Sequence, residues 1–216
     1  MNQKTLVFAK PDGTVRRYAG ARLVKAFIDS GFSFEFFGEI KPNRNFMSGK
    51  HYVQYADKPF FRPTIEFVTS SPIVTMIVVG EDVVSRIRKM IGSTFSDQAP
   101  FDTLRGRYGL YRGINLCHAS DEESAEKEVK MWMDEVIALD KTKDYNKLAS
   151  EYVKKYIDFP TIDVMRYREL IKDMLDKKIR VEDLKIEMFS LIKKESDFDE
   201  DTIQLTTESI INNILT

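Results

Sequence analysis

The chain has 216 residues, 43% of them hydrophobic and 31% charged, with 33 basic against 34 acidic side chains and a net charge of −1. That length suits one large domain or a domain with an appendage, and the composition excludes wholesale disorder. The even charge balance argues against a nucleic-acid or membrane-surface protein, and the single cysteine, Cys117, excludes an intramolecular disulfide and a cysteine-built zinc site, so a cytoplasmic setting is expected.

Residues 5–9 alternate as a strand, and Lys10-Pro11-Asp12-Gly13 is a turn signal that Asp12 is expected to cap. Residues 1–10 lack a charged-then-apolar pattern, so no signal peptide is expected there. Residues 21–28 set Leu23, Val24, Phe27 and Ile28 on one helix face. The aromatic stretch 32–40 reads as a strand. Residues 72–79, a β-branched and apolar run, read as a central buried strand, and residues 73–80 are too few to cross a membrane. A helix follows over 82–91. Residues 92–115, with four glycines and a proline, read as a long loop, a feature that is usually functional in a compact domain. Residues 116–118 look like a short strand, and Ser120-Asp121-Glu122-Glu123 matches a capping box that opens a helix to about Leu139. Glu122, Glu123, Lys127 and Lys130 fit a solvated helix face.

All ten glycines lie between Gly13 and Gly113, and only Pro160 follows Pro100, so the rest of the chain should be almost wholly helical. The charged run at 140–144 marks a boundary between a domain of residues 1–139 and an extension of residues 140–216. Four amphipathic helices are expected in the extension. Their apolar faces are Leu148, Tyr152, Val153, Tyr156 and Ile157; then Ile162, Met165, Ile171, Met174, Leu175 and Ile179; then Val181, Leu184, Met188, Leu191 and Ile192; and last Ile203, Ile210, Ile211, Ile214 and Leu215, led by Asp199-Glu200-Asp201. The plain expectation is a small bundle with its own core or packed on the preceding domain. The sharper alternative is a module that binds a protein partner.

Only His51 and His118 are present. His118 stands between a short strand and a helix start, where an anion would meet free N–H groups and the positive end of the helix dipole. Glu128 follows ten residues later. A carboxylate that holds one imidazole nitrogen fixes the tautomer and frees the other nitrogen to attack. Spacing alone favours the plainer reading, a partly exposed structural histidine with a solvated glutamate. Lys10, Arg88 and Arg105 are cations beside turns and loops, a set suited to phosphoryl transfer, although no GxxxxGK[ST] loop occurs.

An ordered series of motifs sharpens this. Lys10-Pro11-Asp12-Gly13, His51-Tyr52 with Pro59-Phe60-Phe61, Gly92-Ser93-Thr94, Thr103-Leu104-Arg105-Gly106, and Asn115-Leu116-Cys117-His118-Ala119-Ser120-Asp121 with Ser124-Ala125-Glu126-Lys127-Glu128 resemble the nucleoside diphosphate kinase family over residues 4 to about 138. The resemblance implies an α+β fold with a ferredoxin-like βαββαβ core, an antiparallel sheet and added helices, followed here by an all-α extension. It implies a ping-pong reaction in which a nucleoside triphosphate phosphorylates His118 and a nucleoside diphosphate collects the phosphate. By the same resemblance Glu128 and Ser120 orient His118, and Lys10, Tyr52, Arg88, Thr94, Arg105 and Asn115 hold phosphates and ribose. Phe60 stacks on the base, and Asp121 stands near a Mg²⁺ carried by the nucleotide. A homo-oligomer is implied, with neither a membrane nor a specific nucleic acid as partner.

Several positions depart from the family pattern. Ala119 replaces a glycine, Phe95-Ser96 replaces Asn-Pro, and Arg107 stands where an acidic residue is common. Arg112 replaces a small apolar residue that faces the base opposite Phe60, where a guanidinium could stack on the base or point to solvent. His51 is left as structural and Cys117 as a small buried residue. These departures keep open a second reading, a kinase-like nucleotide-binding or scaffold module with weak or no turnover that works through its tail. The segment that carries the resemblance holds every residue given a catalytic role, so the extension is expected to be dispensable for the chemistry.

Overall fold

The fold is known from a computed structural model that describes residues 2–216. Four strands, β1 (Asn2–Ala9), β2 (Ser33–Ile40), β3 (Ile73–Glu81) and β4 (Cys117–Ala119), form one sheet in the order β2-β3-β1-β4. All neighbours are antiparallel. With α2 (Arg17–Asp29) between β1 and β2, and α5 (Val83–Ile91) between β3 and β4, this is the expected ferredoxin-like βαββαβ core. Residues 73–78 are buried without alternation, as a strand covered on both faces must be.

Three local expectations change. Lys10-Pro11-Asp12-Gly13 is not a free turn: Pro11 opens α1 (Pro11–Val15), whose first turn accepts a residue lacking an N–H. Asp12 caps nothing in it, and its Oδ2 accepts from Leu116 N at 2.8 Å. The loop after α5 contains a helical turn, α6 (Leu104–Tyr108), capped by the Thr103 hydroxyl, which accepts from Gly106 N. Finally, the capping box does not form. Asp121 accepts from Ser124 N and Oγ within a turn, Ser120 turns inward, and α7 runs only over Ala125–Glu135. Residues 41–71, for which the sequence carried no clear signal, hold α3 (Arg44–Phe46), a π-helical turn over Met47–His51 and α4 (Phe61–Val68).

The extension forms four helices, α8 (Tyr145–Tyr156), α9 (Val164–Leu175), α10 (Val181–Lys194) and α11 (Glu200–Ile214). Its buried apolar side chains join those of the sheet in one cluster. Helix α8 lies over the outer edge of β2: Asn146 Oδ1 accepts from Phe34 N at 2.9 Å, Tyr145 packs on Phe36, and Tyr152 packs on Phe37. An open strand edge is thereby covered. Glu195, after α10, is fully buried and binds Arg16 Nε at 2.9 Å, with Tyr167 and the Ile162 N–H as further donors. Helix α11 packs on α4, where Ser70 meets Thr206. Among the described residues no helix is long and apolar enough to cross a membrane.

Candidate active site

The site grows from the β1–β4 pairing. The register sets Phe8 opposite His118, and the two rings stack at 4.8 Å and 20°. Glu128 lies one turn into α7 and brings Oε2 to 2.7 Å from His118 Nε2. Ser120 Oγ donates to the same oxygen at 2.6 Å, so it aligns the carboxylate rather than the ring. Burial pushes the Glu128 carboxyl up, but the hydrogen bond and charge of His118 and the Ser120 bond outweigh it and hold it down at about 2. An ionised acceptor requires the proton on Nε2. The Nδ1 lone pair is then free, and it makes no hydrogen bond to the described residues.

The neighbouring loop is held by the first motif. Leu116 sits at φ 77°, a left-handed value uncommon for leucine. Both its backbone groups are tied down, N–H to Asp12 and C=O to Lys10 N at 2.9 Å. A Cβ on Gly13 would lie 2.5 Å from the Leu116 carbonyl oxygen, so only glycine allows this approach. The clamp sets Asn115 and His118 on either side of one short segment. Lys10 Nζ donates to Asn115 Oδ1 at 2.8 Å and to the Gly113 carbonyl at 3.1 Å, and Asn115 Nδ2 donates to the Thr94 carbonyl at 2.7 Å.

Arg105 is buried and donates to the carbonyls of Gly92 at 3.1 Å and Cys117 at 2.9 Å, while its Nε is buried without a partner. Arg88 is exposed and donates to the Ala119 carbonyl at 3.3 Å. Burial, with Arg105 close by, lowers Lys10 to about 8, and burial lowers Arg105. Two desolvated cations whose hydrogen-bond partners are neutral oxygens form a cradle for an anion.

Not every sequence-derived residue converges. Tyr52 is buried 6.4 Å from the His118 ring, and Tyr55 links it to Phe60, which is 46% exposed. Thr94 is exposed and enters only through its carbonyl. The Arg112 guanidinium lies over Tyr111 at 5.5 Å. Asp121 is exposed, and its hydrogen bonds with Ser124 fall on Oδ1. Ala119 is buried in β4, and Arg107 rests on Phe101. His51, read as structural, is nonetheless in the assembly. Its ring meets His118 edge-on at 4.6 Å, and Trp132 Nε1 donates to its Nδ1 at 3.2 Å. Burial first, and His118 second, lower its pKa to about 3, which keeps it neutral. Phe8 and Trp132 were not singled out from sequence. The pairing of β1 with β4 points to Phe8; no sequence signal points to Trp132, which reaches the site from α7.

A family model described as nucleoside diphosphate kinase matches residues 3–137. The chain is 40% identical over 134 residues to a nucleoside diphosphate kinase of Methanothermobacter thermautotrophicus, which covers 62% of this chain and 88% of that one. It is 38% identical over 135 residues to that of Clostridium perfringens, with 62% and 93% covered. Among solved structures, the halophilic nucleoside diphosphate kinase of Halobacterium salinarum, solved in complex with CDP, superposes with a TM-score of 0.60 at 31% identity, covering 71% of this chain and 99% of that one. The enzyme from Encephalitozoon cuniculi gives 0.58 at 33% identity, with 68% and 97% covered. A match over more than half of the chain, on a site of this geometry, means that the chain belongs to the nucleoside diphosphate kinase family.

Proposed function

We propose that this nucleoside diphosphate kinase works by ping-pong through a phosphate on Nδ1 of His118. The observation that carries the reading is the 2.7 Å bond from His118 Nε2 to an ionised Glu128, which leaves Nδ1 as the nucleophile. The N–P bond forms as the bond from the γ-phosphorus to its bridging oxygen breaks, and the electron pair departs with the diphosphate. Glu128 stabilises the imidazolium that results, and Ser120 holds Glu128. A second diphosphate reverses these steps. Lys10, Arg105 and Arg88 take the phosphate charge, and Asn115 and Thr94 line the same pocket. Tyr52 backs the histidine, while Phe60 stacks on the base, whose π-face does not distinguish one base from another. Arg112 completes the base side in this reading.

A Mg²⁺ carried by the nucleotide would offset phosphate charge, and Asp121 would stand near it: its hydrogen bonds from Ser124 hold its carboxyl below the usual range, so it stays a carboxylate. All these groups precede residue 140, so residues 1–139 are the catalytic domain of the proposal and 140–216 its extension. A homo-oligomer would need a surface other than the outer edge of β2, which α8 covers. The buried, unpaired thiol of Cys117 fits a cytoplasmic setting.

Initial rates with ATP varied at several fixed diphosphate levels should give parallel double-reciprocal lines, and isolated phosphoenzyme should pass its label to added diphosphate. Intersecting lines and no isolable phosphoenzyme would overturn the reading. The Lys10 ammonium, lowered to about 8, is present below that pH and lost above it. Diphosphate affinity should therefore fall as pH rises through about 8 in calorimetric titration. Lys10→Met should bind weakly throughout and lack this limb; an unchanged limb would assign the titration elsewhere.

A further inference from the structure

The residues assigned to phosphate and ribose between Gly92 and Asn115 stand on two legs of one loop, Thr94 on the outgoing leg and Arg105 on the returning one. No regular structure joins the legs. Helix α6 has five residues, well short of a length that sustains itself. Arg105 donates to Gly92 and Cys117, but those bonds aim its guanidinium only if the backbone beneath is fixed.

That backbone is held from the extension. Arg168, within α9, sets its guanidinium among four carbonyls. Nη2 lies 2.7 Å from Gly109 O, 2.8 Å from Gly106 O, 3.0 Å from Ser96 O and 3.4 Å from Arg105 O, and Nε lies 3.3 Å from Gly109 O. Ser96 belongs to the outgoing leg and the other three to the returning leg, so one side chain ties both. The carbonyls of residues 105, 106 and 109 lie at the C-terminal end of α6, where a cation meets the negative end of the helix dipole. Ser96 is itself buried, and its N–H donates to the Arg112 carbonyl at 3.3 Å, which links the outgoing leg to the turn carrying Arg112. A second arginine reinforces the returning leg: Arg16 Nη1 donates to Tyr108 O at 2.8 Å while Glu195 of the extension holds Arg16 Nε. Burial lowers the Arg168 pKa, yet no side chain of the described residues forms an ion pair with it; its hydrogen-bond partners are these loop carbonyls.

We propose that Arg168 is a positioning residue of the kinase reaction, through which the C-terminal extension holds the phosphate-binding loop in its working shape. The role rests on the assignment of Arg105 to phosphate. It also replaces the expectation that the extension is dispensable for the chemistry, because the loop's two legs are tied by a side chain beyond residue 140. The guanidinium reaches Gly109 O through both Nη2 and Nε, a fork that a lysine ammonium reproduces only in part.

The test compares Arg168→Met and Arg168→Lys with Leu184→Ala, a buried extension position with no hydrogen bond to the loop. Melting temperature, kcat and KM for ADP and ATP, and the rate of His118 phosphorylation would be measured on the full chain. Arg168→Met should raise nucleotide KM and lower kcat/KM by about ten- to hundredfold, since a small displacement of a phosphate ligand has effects of that order. Arg168→Lys should recover part of this. Leu184→Ala should melt earlier while keeping KM within about twofold of wild type. Should Arg168→Met not fold, Arg168→Lys carries the comparison. Wild-type chain that takes no phosphate on His118 would sink the kinase mechanism itself. Active wild type with unchanged KM in both Arg168 variants, or an equal KM rise in Leu184→Ala, would sink the positioning role.

Discussion

His118→Ala should abolish the covalent phosphate that forms on brief incubation with ATP and Mg²⁺, and turnover should fall by at least about ten-thousandfold. The nucleophile is removed outright, and no other side chain presents a free imidazole nitrogen to the cations. The other imidazole cannot substitute. His51 is buried under His118, with Nδ1 taken by Trp132. His51→Gln, which leaves Trp132 an acceptor, should keep the label. The label itself should be lost in acid and survive alkali, as an N–P bond does. A label that persists in His118→Ala would place the nucleophile elsewhere. Folding should survive the change, because His118 contributes one stacked ring to a large core.

Glu195→Ala should be the most destabilising single substitution in the extension. Arg16 and Glu195 are 1% and 0% exposed, and the carboxylate receives Arg16 Nε, Tyr167 Oη, Thr161 Oγ1 and Ile162 N. Removing one member of a buried pair leaves the other charge uncompensated, at about 3–5 kcal/mol. For a chain of this length that is on the order of 10 °C in melting temperature. Glu195→Gln should fall between the two, since the amide still accepts hydrogen bonds but offers no charge to Arg16. Calorimetric or dichroic melting decides this, and a loss below about 2 °C for Glu195→Ala would show that water or a neighbour compensates Arg16. Activity should fall too, because Arg16 also holds the Tyr108 carbonyl in the Arg105 loop.

The strands were legible from local pattern: the unbroken, β-branched apolar run of β3, bounded by Ser71 and Gly80, fits a strand covered on both faces. The motif order carried the family. The boundaries failed where a side chain had a stronger use elsewhere. Ser120 carries the pattern of a helix cap, yet its hydroxyl is taken by Glu128, so α7 begins at Ala125. Asp12 has the look of a turn cap, yet its carboxylate goes to Leu116, more than a hundred residues away in the chain. Residues 41–71 were opaque because they alternate short helical turns with no sustained period.

By itself the sequence marked strands and helices through periodicity, while the family and the ferredoxin-like fold class came from the ordered motifs that resemble nucleoside diphosphate kinases. Tertiary structure alone decided which imidazole nitrogen is free, because that depends on a 2.7 Å contact between a strand and a helix. It decided the surroundings of His118 as well: Phe8 comes from β1, His51 from a π-helical turn and Trp132 from α7, and their rings meet only where these elements pack together. Where the extension packs was likewise decided by tertiary structure. An apolar stripe shows that a helix needs a partner, not which partner. Arg168 reads as one more polar residue on α9, and its four carbonyl partners lie some sixty to seventy residues earlier in the chain. No local pattern encodes a contact of that range.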